Sequence, residues 1–212
     1  MTASPPAFKT AKQLAEEQGL VGALSVEVAA SMNHRPVASL DDVIRRLFAT
    51  GSDQLSDPEI DYVLAEARRT GLDPVRQIAV WRDKATGKIV THTKIDGLLA
   101  IAERTGHYLG PLPTVLTWRK GDEVIRAPMS EGPPPGEGVQ LIAATCAVRR
   151  EGFPEPVEVT RFWADSAPKE VRPNSAWDRM GALMLEKVAL AGALRRAFPQ
   201  DLAGMYESAE LE

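Results

Sequence analysis

Apolar residues along the chain fall into two rhythms, one of helices and one of strands. Phe8 to Gly22 has helical spacing through Leu14, Leu20 and Val21, and Asn33 to Pro36 breaks the chain after it. A second helix is predicted from Leu40-Asp41-Asp42, with Ser39 or Asp41 as cap, Val43, Ile44, Leu47 and Phe48 as its apolar face, and Gly51 as its stop. Ser56-Asp57-Pro58-Glu59 is a third start: Ser56 caps, acidic residues fill the first turn, and proline is tolerated there. Ile60, Val63, Leu64 and Ala67 then form a stripe that Gly71 ends.

The period next shortens to two. Gln77 to Trp81 and Lys88 to Thr93 predict a β-hairpin around Asp83-Lys84-Ala85-Thr86-Gly87. Asp96 to Gly106 returns to helical spacing through Leu98, Leu99, Ile101 and Ala102. Val115 to Arg119 and Glu123 to Arg126 read as strands around Lys120-Gly121-Asp122. A loop is expected over 130–138, which holds three prolines and three glycines. A second hairpin follows, Val139 to Arg150 with Val157 to Trp163, and then a long helix from Ala176 to Phe198 with Pro199 just past it. Short connections between strands favour α+β: an antiparallel sheet and a β-hairpin packed with helices, the last one long.

Composition narrows this little: 44% hydrophobic and 25% charged residues in 212 suit one well-cored globular domain, or one domain with a small appendage. The organisation expected is a leader over 1–39, which could serve subunit contact, a core over 40–208 and an acidic tail over 209–212. The first residues show no basic stretch leading into an apolar run, and no apolar run approaches a membrane span, so a cytoplasmic location is expected. The net charge of -4 is unevenly spread: residues 66–107 and 161–198 each carry +3, while 1–65 and 199–212 each carry -4. Two basic segments could line one groove, although solvated faces of ordinary helices and strands give the same charge pattern.

Catalytic motifs are missing. Gly87-Lys88 lacks the rest of a phosphate loop, because Ile89 follows where Ser or Thr is required. His92 has no partner at metal-site spacing, and Thr91-His92-Thr93 is more simply three alternating strand positions. Asp41, Asp42, Asp57, Glu59 and Asp61 sit at helix starts, which capping and the helix dipole already explain. Cys146 lies in the apolar run Ala143 to Val148 and reads as a small core residue.

The hairpin carries Arg76, Arg82, Lys84, Lys88 and Lys94, with Trp81 among them. Cations neutralise phosphates and an exposed aromatic stacks on any base, a pairing suited to single strands of every sequence. The alternative is a core tryptophan among solubilising cations. On the long helix Arg179, Lys187 and Arg195 recur every eight residues, slightly more than two turns, and are expected to project along one side with a slow drift. Steps of about 12 Å, at about 1.5 Å per residue, reach successive phosphates. Met180, Leu183, Met184, Val188, Ala191 and Leu194 mark the opposite, apolar side. The alternative here is the charged face of any amphipathic helix.

Four stretches, taken in order, resemble the RecT/Bet (Red-beta) family of phage single-strand annealing proteins. They are Arg68-Arg69-Thr70-Gly71-Leu72-Asp73-Pro74 with Gln77-Ile78, and Ile95-Asp96-Gly97-Leu98 through Ile101 to Gly106. The third is Val148 to Phe153 with Pro156, before Thr160-Arg161-Phe162-Trp163. The fourth runs from Trp177 through Met184 to Ala189 and Ala193 to Pro199, to Leu202-Ala203-Gly204-Met205-Tyr206. The likeness covers about residues 40–208.

This resemblance implies a non-enzymatic protein that binds single-stranded DNA by its backbone and anneals complementary strands without ATP. It implies no required cofactor, magnesium entering only as an influence on annealing. Expected partners are single-stranded DNA, the annealed duplex intermediate, further copies in a ring or helical filament, a phage 5′–3′ exonuclease and the host single-strand-binding protein. It implies a bacterial host and a phage- or prophage-borne gene. The DNA-binding residues implied are Arg76, Trp81, Lys84, Lys88, Lys94, Arg149, Arg161, Arg179, Lys187 and Arg195. Thr50 stands before Gly51, and Asp178 before Arg179, where relatives place basic residues. Relatives often continue past the Gly-x-Tyr motif into a partner-binding tail, and this sequence ends six residues after Tyr206. A shared groove between hairpin and long helix is the expected seat of the strand. The competing expectations are a protective single-strand binder that does not anneal, and an assembly module that binds no DNA.

Overall fold

A computed structural model describes residues 55–83 and 86–205. The expected helices at Phe8–Gly22 and from Leu40 to Gly51 lie outside these residues, as do Lys84 and Tyr206. The chain divides into two compact units, Met1–Gly97 and Leu98–Glu212.

In the first unit α1 spans Asp57–Thr70. Its start is fixed locally: the Ser56 backbone N–H and hydroxyl both donate to Glu59 Oε2, at 2.8 Å each. Its end is fixed by Gly71, whose φ of 66° is left-handed and nearly free of strain only for glycine. Ile60, Val63, Leu64 and Ala67 are buried at i, i+3, i+4 and i+7, as their spacing predicts. Asp73, itself buried, turns the chain toward the hairpin, since its Oδ1 accepts from the backbone of Val75 (2.8 Å) and Arg76 (3.0 Å).

Strands β1 (Ile78–Arg82) and β2 (Ile89–Thr93) pair antiparallel, with Ile78 opposite Thr93 and Arg82 opposite Ile89. Helix α2 (Ile95–Arg104) follows, and the division between the units falls inside it. A Cβ at Gly97 would sit 2.9 Å from the Gln77 carbonyl oxygen, so only glycine fits that close approach.

The second unit is a five-stranded antiparallel sheet with a helix against it. Its strands are β3 (Tyr108–Pro111), β4 (Val115–Lys120), β5 (Glu123–Pro128), β6 (Val139–Arg150) and β7 (Val157–Phe162). The twelve-residue β6 is the spine: β7 pairs along one edge, and β4 and then β3 pair along the other. A short helix α3 (Trp163–Ser166) leads to α4 (Ala176–Ala197). Leu116, Trp118, Ala144 and Cys146 meet Trp177, Met184, Leu185, Val188 and Ala189 in one core. Burying each of the large aliphatic residues contributes roughly 1.5–3 kcal/mol.

Helix α4 differs from its expectation in three ways. Met180 has non-helical φ and ψ and is 44% exposed, so it is a break in the helix rather than part of its apolar side. From Met184 onward burial runs almost all round, through Leu185, Val188, Ala189, Ala191, Gly192, Ala193 and Leu194. The small residues let the helix close on β7: a Cβ at Gly192 would lie 3.1 Å from Val159 Cγ1. Third, the break at Met180 separates Arg179 from Lys187 and Arg195, so the eight-residue spacing runs along one continuous helix only from Lys187 to Arg195.

Two boundaries also move. Trp163 opens α3 instead of ending β7, and its ring packs edge-on against Trp177, centroids 5.4 Å apart. Phe198 caps α4 rather than continuing it. Strand β3 is an addition to the elements expected from the sequence.

Candidate nucleic-acid interface

Each unit separates its cations into those tied up inside the fold and those turned outward. On the hairpin, partners across the strands share a face. Ile78, Val80 and Arg82 therefore share one face with Thr93, Thr91 and Ile89. Trp81 shares the other with Ala79, His92 and Val90. Asp83 N–H donates to the Lys88 carbonyl (2.8 Å), which extends the register by one pair and adds Lys88 to the Trp81 face.

Arg82 is bound within its unit. Its Nη1 donates to Glu59 Oε1 at 2.6 Å and to the Gly87 carbonyl at 2.9 Å, and its Nη2 donates to Glu59 Oε2 at 3.2 Å. The Arg82 hydrogen bonds, helped by the Ser56 donors, hold the Glu59 carboxyl down at about 2. Lys94 is half-buried, and its ammonium donates to the Val75 carbonyl at 2.9 Å. Burial pushes it below the usual lysine value, against the pull of Asp73 and Asp96.

Arg76 and Lys88 are exposed. Trp81 is half-buried, neither the free aromatic nor the core residue that spacing allows, and it stacks on His92 with centroids 4.2 Å apart and planes at 22°. Burial pulls the His92 imidazole below its ordinary value, which favours the neutral ring. His92 escaped sequence reading because alternation shows which strand it sits on and not which ring lies diagonal to it.

In the second unit the sheet face away from α4 collects arginines. Leu116, Trp118, Ala144 and Cys146 point to the helix, so their alternating neighbours point away. Arg126, Thr117, Ala143 and Phe162 form one row across β5, β4, β6 and β7. Arg119 lies on the same face of β4, and Arg149 on the same face of β6. All three arginines are exposed, as is Phe162 at 53%, with Glu158 the acidic residue among them. Arg119 and Arg126 were missed, although the two-residue period of their hairpin puts both on one side.

The neighbouring arginine has a different task. Arg150 donates to the Ala197 carbonyl at the end of α4 and lies over the rings of Phe153 (4.9 Å) and Phe198 (5.0 Å). It closes the helix C-terminus. Arg161 is half-buried on the helix side, its Nη2 3.2 Å from where a Gly192 Cβ would stand. It lines an open recess of about 230 Å³ with Thr160, Phe162, Asp165, Ser166 and Val188.

On α4, Arg179 is exposed, Lys187 is half-buried, and Arg195 donates to the Met205 carbonyl at 3.4 Å. Of the ten residues expected at the site, Arg76, Lys88, Arg149 and Arg179 are thus exposed. Lys94 and Arg195 have backbone partners, and Lys84 lies outside the described residues.

Among the described residues no group of three or more His, Cys, Asp or Glu could hold a metal ion, and no helix is long and apolar enough to cross a membrane. A family model described as RecT family matches residues 39–212. No curated protein matches the chain.

Proposed function

This chain belongs to the RecT family, and we propose that it binds single-stranded DNA by its phosphates and anneals complementary strands without ATP. Recombination by strand annealing is the general function that comes with the family. The finer reading finds its main support in one observation: Arg119, Arg126 and Arg149 stand exposed on one sheet face with Phe162, while Arg82 and Arg150 are engaged inside their units. Cations left facing solvent in this way suit an extended polyanion. Lys88, Arg76 and Arg179 add to the same task.

Contacts to phosphate leave the Watson–Crick edges free. Pairing of the two strands then supplies the driving free energy, so neither nucleotide hydrolysis nor a cofactor is needed. Repetition of weak contacts along a ring or filament of copies multiplies their effect. The partners in this reading are single-stranded DNA, the annealed duplex, further copies of the chain, a 5′–3′ exonuclease and a host single-strand-binding protein.

The test is the salt dependence of binding to a labelled single strand. Each phosphate contact contributes a slope of about -0.7 in log affinity against log salt. Replacing Arg119, Arg126 and Arg149 together by alanine should flatten the slope by about 2. Unchanged affinity and slope would remove the sheet face from the interface.

A further inference from the structure

Trp81 and His92 form a near-parallel stack, 4.2 Å between centroids and 22° between planes, on a hairpin whose other face carries Arg82 toward Glu59. Lys88 shares the face of the two rings. We propose that this pair is a nucleobase-stacking site: a base of the bound strand adds to the indole–imidazole stack while Lys88 takes an adjacent phosphate. The proposal rests on the single-strand-binding reading and deepens it by giving the strand's bases, as well as its backbone, a contact on the protein.

Two observations and one general property of nucleobases carry it. Both rings are half-buried, so each is held by the fold yet keeps surface in solvent. The stack fixes the indole's orientation before any ligand arrives, which lowers the ordering cost of binding. Every base has a π-face, so such a site tolerates all sequences. It also engages the face of a base and leaves its pairing edge open, which annealing requires. His92 contributes ring area rather than charge, because burial favours its neutral form. It is therefore a positioning residue for Trp81 as well as part of the platform, and an aromatic replacement should serve where alanine does not.

The experiment compares full-length protein binding to a mixed-sequence oligonucleotide and to the same strand with every base removed. The wild type should prefer the base-bearing strand by on the order of tenfold. Trp81→Ala and His92→Ala should lose most of that preference, while His92→Phe keeps it, and all should retain the wild-type salt slope. A wild-type ratio near one, or a His92→Ala ratio equal to wild type with both strands bound, overturns the stacking site alone. Failure to bind either strand overturns single-strand binding itself.

A second readout does not depend on whether the alanine variants fold. A single 2-aminopurine flanked by abasic positions should be quenched on binding the wild type, and much less on binding His92→Leu. Full emission in the wild-type complex contradicts the proposal.

Discussion

Glu59 and Arg82 make a two-pronged ion pair, 2.6 Å and 3.2 Å, between the first turn of α1 and the end of β1. The same carboxylate receives the Ser56 N–H and hydroxyl, and the same guanidinium reaches the Gly87 carbonyl. The guanidinium thus ties the helix start to β1 and to the hairpin turn at Gly87, and it is held away from the ring-bearing face. Arg82 is a strap in this arrangement, and Lys88 is an exposed cation among the hairpin's described residues.

Glu59→Gln should loosen that strap without unfolding the unit. Amide exchange at Asp83 and Gly87, whose N–H groups donate to the Lys88 and Asp83 carbonyls, should quicken by about two- to fivefold, the scale of an exposed pair. Acid gives the same test without mutation. The folded carboxyl sits at about 2 against an ordinary 4.5. Because the folded value is depressed, the contribution is complete above about 4.5 and is lost as pH falls through about 2. Exchange at Gly87 should therefore stay constant from neutral pH to about 4.5, after correction for intrinsic rates, and rise below it.

Adjacent arginines on β6 should behave oppositely. Arg150→Ala removes a charged hydrogen bond and two ring contacts, and should cost roughly 2–4 kcal/mol in denaturant unfolding. Arg149→Ala should leave the unfolding midpoint unchanged and weaken single-strand binding. The reverse pattern in the two assays would show the two roles misassigned.

Gly181→Ala should be harmful. Its Cβ would fall 2.6 Å from the Trp163 ring, just after the break at Met180. A cost of about 1–3 kcal/mol is expected from such overpacking. Trp163→Phe in the same chain should recover part of the loss in thermal unfolding, because it withdraws the atoms that clash.

Cys146 should be inert in the folded protein. It is buried, contacts Thr114 Oγ1 at 3.3 Å, and burial lifts its thiol to about 11 from an ordinary 9.0. A disulfide reagent at pH 8 should react only as fast as the second unit opens. The raised value also means that this thiol's share of stability is intact below about 9 and declines as pH climbs toward about 11.

How much of this was legible depends on how local each cause is. Helix α1 was readable to the residue at its end, because Ser56, Pro58 and Gly71 act through the backbone beside them. The hairpin and β4 to β7 followed from alternation and from turns such as Gly121, whose φ is 58°. Strand β3 was not readable, since its four residues become a strand only by pairing with β6. The break at Met180 and the all-round burial of α4 arise from packing on Trp163 and β7, which no periodicity encodes. At the candidate site, residue types picked out the cation-bearing segments and not the state of each cation. Which arginine is engaged and which is free depends on partners far along the chain, as Arg82 with Glu59 and Arg150 with Ala197 illustrate.

In this reading the bound strand keeps its pairing edges open. The most direct measurement is the rate at which two complementary oligonucleotides pair, followed by a donor–acceptor dye signal, with protein and without ATP. Protein added to one strand should speed pairing with the other, and Arg119→Ala/Arg126→Ala/Arg149→Ala should abolish the gain. Binding that slows pairing, as a strand-protecting coat does, would contradict it.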